Sequence, residues 1–525
     1  MTVHVVADQG EVLEFLGNPE THAVSEPVKR IDTHGAVVFL AGRDAYKVKR
    51  AVRFPFMDFS TIEKRKLACE RELEINCANA PGIYLDIRSI TRSKTGLEFG
   101  GKGKVVEWAV HMRRFDEDAT LDRLAKREGL SKLLIADLAH VVLWSHERAA
   151  RKNFDAAGAL DRYILENAET FAESPDLFSA ERIRRVTASS RTALAGNRGL
   201  LVARQRAGHV RRCHGDLHLR NIVLIAGKPI LFDALEFDEA MATGDILYDL
   251  AFLVMDLLER GFRQAANALL NHYLWESGNE AHLAGLALLP LFLSVRAAIR
   301  AKVVAASLPY LDDRARKEAA RDAERYFSLA EQFLIPSAAR LVAIGGLSGT
   351  GKTTIAEELA PRIGRMPGAI HLRSDIERKQ MFGAAETQRL PQTAYGPSAT
   401  AEIYARLRRK AKLALEAGAS TICDAVHATP DERACIESVA QDLAIRFDGI
   451  WLEAPLGLRI GRVEGRRDDA SDADANYVRK QSTVDVGALS WRRLDASEMP
   501  PRIVADALAM LGEPQELAER AEAPP

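Results

Sequence analysis

Residues 346–353 read Gly346-Leu347-Ser348-Gly349-Thr350-Gly351-Lys352-Thr353. The spacing GxxxxGKT has a physical use. Glycines let successive backbone N–H groups converge on one anion, and the helix that follows turns its positive dipole end toward that anion. Lys352 adds a point charge, and the Thr353 hydroxyl is a ligand for Mg²⁺. The context fits: an apolar strand-like run, 341–344, precedes the glycines and an amphipathic helical stretch, 354–359, follows. Gly346, Ser348, Gly349, Thr350, Gly351, Lys352, Thr353 and Thr354 are therefore candidate phosphate-binding residues, and the expected ligand is ATP with Mg²⁺.

Outward from this loop the chain alternates strand and helix. Strand-like runs at 341–344, 369–372, 420–423 and 447–452 are separated by helical patterns, the rhythm of a parallel sheet covered on both faces. Pro336 breaks the preceding helical pattern, so a domain boundary is expected at 336/337. The expected domains are 1–336 and 337–512, with 513–525, acidic and Ala/Pro-rich, as a frayed tail. Two carboxylates follow strands of the second domain: Asp375 after 369–372 and Asp424 after 420–423. That end of a parallel strand faces the ligand crevice. Asp424 is a candidate for the Mg²⁺ shell or for holding the substrate, and Asp375 is a functional carboxylate, the N-cap of the next helix, or both. The sequence contains no guanine-reading NKxD, and the domain has the size of a small-molecule kinase rather than of a large ATP-driven machine.

A second constellation stands upstream. His214-Gly215-Asp216-Leu217-His218-Leu219-Arg220-Asn221 is followed by two short strands, 221–225 and 229–232, joined by Ala226-Gly227-Lys228 and ending at Asp233. The order HxDxxxxN, then an Asp after a second strand, is the kinase catalytic-loop pattern. In that chemistry Asp216 accepts an alcohol proton, while Asn221 and Asp233 hold Mg²⁺. The hairpin brings the latter two to neighbouring strand ends. A nucleotide-holding lysine is expected on the strand 45–48: Lys47, or Lys49 on the same face at period two. The helical stretch 60–79 offers Glu70, Glu72 and Glu74 as its partner, with Glu72 preferred. His214 is expected to brace the loop, His140, His146, His209 and His218 to be packing or surface groups, and Trp144 and Trp275 to lie in the core.

These motifs carry resemblances. His371-Leu372-Arg373-Ser374-Asp375-Ile376-Glu377-Arg378-Lys379 resembles the second strand of the gluconate kinase, zeta-toxin and polynucleotide 5′-kinase group. That resemblance implies Asp375 as the base and Arg378 as a clamp on the acceptor. Arg462, Arg466 and Arg467 resemble a lid whose arginines close on the transferred phosphoryl group; a solvated basic helix face is the alternative. Gly215, where protein kinases carry Arg, resembles aminoglycoside phosphotransferases and choline kinases, and implies that Asp249 supports the catalytic loop. The whole chain, through 45–50, 213–222, the 346–353 loop and Ser471-Asp472-Ala473, resembles bacterial fusions of an aminoglycoside-phosphotransferase-like domain with a P-loop kinase-like domain.

The expected fold is thus a two-domain chain: an N-terminal α+β protein-kinase-like fold and a C-terminal α/β P-loop fold with a parallel sheet. The expected activity is ATP- and Mg²⁺-dependent phosphoryl transfer to hydroxyls of small molecules such as sugars, amino sugars or aminoglycosides. Glu236, Asp238 and Glu239 could form an acidic pocket for such an acceptor, or a plain surface patch. Two alternatives stay open: a ligand-sensing, non-catalytic first domain regulating the second, and a polynucleotide or toxin-like kinase in the second. A formal net charge of −1 argues against nucleic acid as the main partner. Five scattered cysteines and the lack of a basic-then-apolar leader are expected of a cytoplasmic protein. The most apolar run, 284–295, is shorter than the roughly 18 residues of a membrane span and reads as a buried helix.

Overall fold

A computed structural model describes residues 4–33, 35–54, 57–466 and 469–512. Contacts divide the chain into two compact units. The first comprises Met1–Arg162, Leu201–Asp256 and Lys302–Arg321; the second comprises Tyr163–Leu200, Leu257–Ala301 and Asp322–Pro525. The break at 336 separates the motifs, whereas contacts assign the helical segments 163–200 and 257–301 to the unit that holds the 346–353 loop. The 513–525 tail and Arg467 lie outside the described residues.

In the first unit a six-stranded antiparallel sheet is built from β1 (Lys29–Asp32), β2 (Ala36–Ala41), β3 (Asp44–Lys49), β4 (Tyr84–Ser93), β5 (Gly96–Phe99) and β6 (Lys104–Arg113), in the order β1-β2-β3-β6-β4-β5. Period-two alternation sends Val37, Phe39 and Val48 into one apolar layer with Ile90, Ala109, Val12 and Leu16. Lys47 and Lys49 share the same β3 and meet helix α1 (Ile62–Cys77), which starts where the Thr61 side chain accepts a bond from the Lys64 amide. A hairpin, β7 (Ile222–Ile225) and β8 (Lys228–Leu231), turns through Ala226 (φ 50°) and Gly227 (φ 76°). Two positive φ values in a two-residue loop suit the right-handed twist of the strands. Helices α2 (Lys132–Arg148) and α3 (Ile246–Glu259) complete the surroundings of the 214–221 loop.

The second unit carries a five-stranded, fully parallel sheet: β9 (Arg340–Gly345), β10 (Ile370–Arg373), β11 (Thr421–Asp424), β12 (Arg446–Glu453) and β13 (Arg492–Asp495), ordered β10-β11-β9-β12-β13. Chain order reverses about β9, so the crevice beyond its C-terminal end is the ligand-binding position of an open α/β sheet. Val342, Ile344, Ile422, Ile450 and Leu452 bury one face against Ile355 and Leu359 of α5 (Lys352–Leu359) and Ile503 and Val504 of the last helix, Pro500–Leu511. Helix α4 (Arg263–Ser277) lies along the β10 edge, and α6 (Ser374–Met381) follows β10 directly. The stretch Glu280–Ser307 is long and apolar enough to cross a membrane by length and composition, but 78% of its most apolar window is buried inside the protein. Trp275 is buried as expected; Trp144 is not, being 39% exposed with Arg148 stacked 4.6 Å over its ring.

Candidate active sites

In the first unit the catalytic-loop pattern is held from behind by α3. The amides of His214 and Gly215 donate to the Asp249 carboxylate at 3.3 and 2.9 Å, and the Leu219 amide donates to Asp256 at 2.9 Å. His146, expected only to pack, stands 3.2 Å from Asp249 and is fully buried. The His214 Nε2 faces the Phe232 carbonyl at 3.0 Å, so it carries the ring proton, and burial pushes its pKa down. Gly215 has φ +83°, and an added Cβ would stand 3.1 Å from the Ala242 Cα. That backbone excludes the arginine found here in protein kinases.

Asn221 Nδ2 donates to the Asp216 carboxylate at 2.9 Å, and His218 Nε2 lies 3.3 Å from the same oxygen. The Phe232 amide donates to the Asn221 carbonyl at 3.0 Å, which sets Asp233 beside Asn221. Asp233 itself adopts φ 60° and its amide donates to the Tyr84 hydroxyl at 3.1 Å. Lys47 Nζ bridges Asp233 at 2.6 Å and Glu72 at 2.7 Å. Lys49 also reaches Glu72, at 2.6 Å, and pairs with Glu236. Both lysines thus converge on one carboxylate. Burial opposes the Lys47 charge, yet Asp233, Glu72 and Glu236 outweigh it and hold the ammonium pKa well above its usual value. Burial likewise opposes the Glu72 charge, and the two lysines overcome it, leaving Glu72 at about 2. Glu70 faces the surface and pairs with Lys66 at 3.4 Å.

The proposed acidic pocket takes another form. Glu236 is buried against Lys49, Glu239 pairs with Lys152 at 2.7 Å, and Asp238 accepts the amides of Ala240 and Met241. These carboxylates are engaged in holding the 233–243 segment.

In the second unit Gly346, Gly349 and Gly351 have φ of 144°, 86° and 92°. A Cβ on Gly349 would stand 2.5 Å from the Arg459 carbonyl, so the loop's close approach requires glycine there. The Thr350 hydroxyl bonds the Leu347 carbonyl at 2.9 Å and the Ser348 amide donates to Gln481 at 2.6 Å. Thr354 is exposed on α5. Among the described residues Lys352 Nζ makes one long hydrogen bond, 3.4 Å to the Leu347 carbonyl. Burial lowers its pKa, an effect only partly offset by Asp424 and Asp375. Thr353 Oγ1 donates to Asp424 at 2.6 Å. Burial would raise the Asp424 pKa, but His371, 3.4 Å away without completing a hydrogen bond, acts with Lys352 and Arg373 to lower it to about 2.

Asp375 occupies the first turn of α6 and is not its N-cap; Arg373 is, and among the described residues its side chain makes no capping hydrogen bond. Burial, then the charge of Asp424, raises the Asp375 pKa, while Arg373 and Lys352 oppose the rise. Arg378, one turn further along α6, donates to the Ala394 carbonyl at 2.6 Å and stacks 4.8 Å over Tyr395. Arg462 reaches the Thr350 carbonyl at 3.2 Å, and Arg466 pairs with Asp469 at 3.5 Å.

The sequence assigned no role to three groups here. Arg459 donates to the Ser348 carbonyl at 2.8 Å; its spacing of three from Arg462 on the helix Leu456–Glu464 was the available signal. Gln481 reaches the loop with no local signal. Asp472 gathers Lys379 at 2.8 Å, the Leu390 amide at 2.9 Å and the Tyr395 hydroxyl at 2.5 Å, fastening the 469–474 segment to the 388–395 loop.

The two sites define a chain with a phosphotransferase-type kinase fold followed by a P-loop fold, and comparison with known proteins agrees. Residues 105–288 match the model of the phosphotransferase enzyme family, and residues 341–484 match that of an AAA domain. The chain belongs to the same family as the uncharacterized proteins Rv2004c of Mycobacterium tuberculosis (strain H37Rv) and Mb2027c of Mycobacterium bovis. It is 30% identical to each over 502 residues, covering 94% of this chain and 97% of theirs. Among solved structures it is similar to a choline/ethanolamine kinase family protein from Mesorhizobium loti, with 15% identity, TM-score 0.37, and 61% of this chain and 97% of that one covered. It is also similar to a sugar kinase from Janibacter sp. HTCC2649, with 21% identity, TM-score 0.27, and 33% and 95% covered.

Proposed function

We propose that the chain is an ATP- and Mg²⁺-dependent enzyme with two phosphoryl-transfer sites, one in each motif-bearing region, acting on hydroxyls of small molecules such as sugars or amino sugars. One observation carries the reading. In the first unit an unbroken path of contacts runs from Asp216 through Asn221 and the 232–233 backbone to Asp233, Lys47 and Glu72. Proton acceptor, metal donors and phosphate cation therefore belong to one assembly. In the second, Asp375, Lys352 and Asp424 act electrostatically on one another across the end of β9.

Asn221 and Asp233 in the first site, and Thr353 and Asp424 in the second, offer only oxygen donors, the set that a hard cation such as Mg²⁺ selects. The metal, when bound, neutralises charge on the nucleotide phosphates. At the first site Lys47, oriented by Glu72, holds nucleotide phosphate, and Asp216 takes the proton of the acceptor hydroxyl. At the second, the glycine loop and Lys352 hold phosphate, Arg462 and Arg466 close over it, Arg378 orients the acceptor, and Asp375 takes the proton. The raised pKa of Asp375 suits a group that must accept a proton near neutral pH.

The test is transfer from γ-labelled ATP to a panel of sugars, amino sugars, aminoglycosides, nucleosides and 5′-hydroxyl RNA. Asp216→Ala and Lys352→Ala should each abolish transfer to a different acceptor. If Asp216→Ala leaves every acceptor's turnover intact, the first site is not a kinase site; transfer to RNA alone would replace the small-molecule reading.

A further inference from the structure

Among the described residues the parallel sheet of the second unit ends on β10, whose outer row of backbone groups has no neighbouring strand. Such an edge must be covered or it becomes a template for aggregation. Helix α4 covers it with side chains. Asn267 and Asn271 donate from Nδ2 to the Ala369 carbonyl at 3.0 and 3.3 Å. The His371 amide donates to Asn271 Oδ1 at 2.8 Å, and Trp275 Nε1 donates to the His371 carbonyl at 2.6 Å. All three helix side chains are buried. The two elements keep step because positions four apart on a helix advance about 6 Å, and alternate strand residues advance about 6.6 Å. Asn267, Asn271 and Trp275 stand in for a sixth strand.

This strap reaches the site. The Arg373 guanidinium lies 5.4 Å over the Trp275 ring, and Trp275 packs with Ile376 and Ala470 in a small apolar cluster. Gln380, at the far end of α6, donates to the Trp275 carbonyl. Contacts to α4 therefore bracket Asp375 on both sides along the chain. Asp375 lies in the first turn of α6, directly after the N-cap Arg373 and Ser374, so its position follows from the β10–α6 backbone.

We propose that Asn271 and Trp275 are positioning residues for the second site, holding the β10–α6 junction so that the Asp375 carboxyl stays in place beside Lys352 and Asp424. The proposal rests on the reading of Asp375 as proton acceptor. It also means that a helix inside the phosphotransferase-family span, 105–288, is a working part of the P-loop site.

The experiment uses full-length protein carrying Asp216→Ala, so that basal ATP hydrolysis reports the second site. Asn271→Ala, Asn271→Asp and Trp275→Phe are compared by amide hydrogen exchange over 369–373 and by kcat and KM for ATP. Asn271→Ala should speed exchange at the His371 amide about 100-fold. It should lower kcat about tenfold while KM for ATP moves less than about twofold, because the glycine loop is untouched. Asn271→Asp keeps the acceptor for the His371 amide and should restore most of the slow exchange. Trp275→Phe keeps the ring and should give a smaller kcat loss. Unchanged exchange in Asn271→Ala overturns the strap. Faster exchange with unchanged kcat, or with kcat lost only in step with the melting temperature, overturns the positioning role. Faster exchange in a parent that hydrolyses no ATP overturns the proposed function of the second site instead.

Discussion

The lysines proposed to bind phosphate in the two units, Lys47 and Lys352, are in opposite electrostatic states. Lys47 sits between Asp233 and Glu72, with Glu236 close by, and its charge is more than balanced. Lys352 has one long carbonyl contact, and burial pulls its pKa down. The first cation is held by the protein's own anions, and on the proposed function it would share Asp233 with Mg²⁺. The second is left short of anions, and phosphate oxygens are the groups that would complete it. On the proposed function the same chemical task is set up from two directions: the first lysine is stabilised by the protein's own anions, and the second would be stabilised by the ligand.

The sharpest way to break this contrast is to remove each lysine. Lys47→Ala and Lys352→Ala should each cost their own site roughly 10²–10³-fold in turnover. Stability should separate them. Lys47→Ala takes from buried Glu72 one of its two lysines, leaving Lys49, and should cost about 2 kcal/mol. Lys352→Ala removes a buried charge that Asp424 and Asp375 only partly compensate, and should leave the melting temperature unchanged or higher. Equal melting losses in thermal denaturation would erase the distinction.

Acid sharpens it further, with smaller effects. Glu72 has its folded pKa depressed from 4.5 to about 2, so its contribution to stability is complete above the unfolded value and is lost as pH falls from about 4.5 toward 2. Asp375 has its folded pKa raised from 3.8, so its contribution is present below the unfolded value and is lost as pH rises through the folded one. On acidification, amide exchange in α1 should therefore accelerate before exchange in α6 does. The reverse order would mean that the two carboxylates do not govern their helices as described.

Legibility in the sequence followed the range of the interaction. The 346–353 loop and the 214–221 loop are short, and each fixes its own geometry by residue spacing, so both could be read directly. The hairpin between Asn221 and Asp233 was equally local. The choice between Lys47 and Lys49 looked exclusive because one lysine is enough for nucleotide; in the fold both reach the two oxygens of Glu72 from the same face of β3. Arg492–Asp495 escaped notice as a strand because only Leu494 of its four residues is buried. Asn267 and Asn271 read as polar positions on a helix, and nothing local says that a sheet edge lies opposite. The break at 336 was likewise a local signal, while the packing of 257–301 is long-range.

Two nucleotide sites in one chain can be counted by calorimetric titration with Mg²⁺ and a non-hydrolysable ATP analogue. The expected stoichiometry is two for the native protein and one for Lys352→Ala, with the surviving site lost on adding Lys47→Ala. A native stoichiometry of one, or one unaffected by Lys352→Ala, would contradict it.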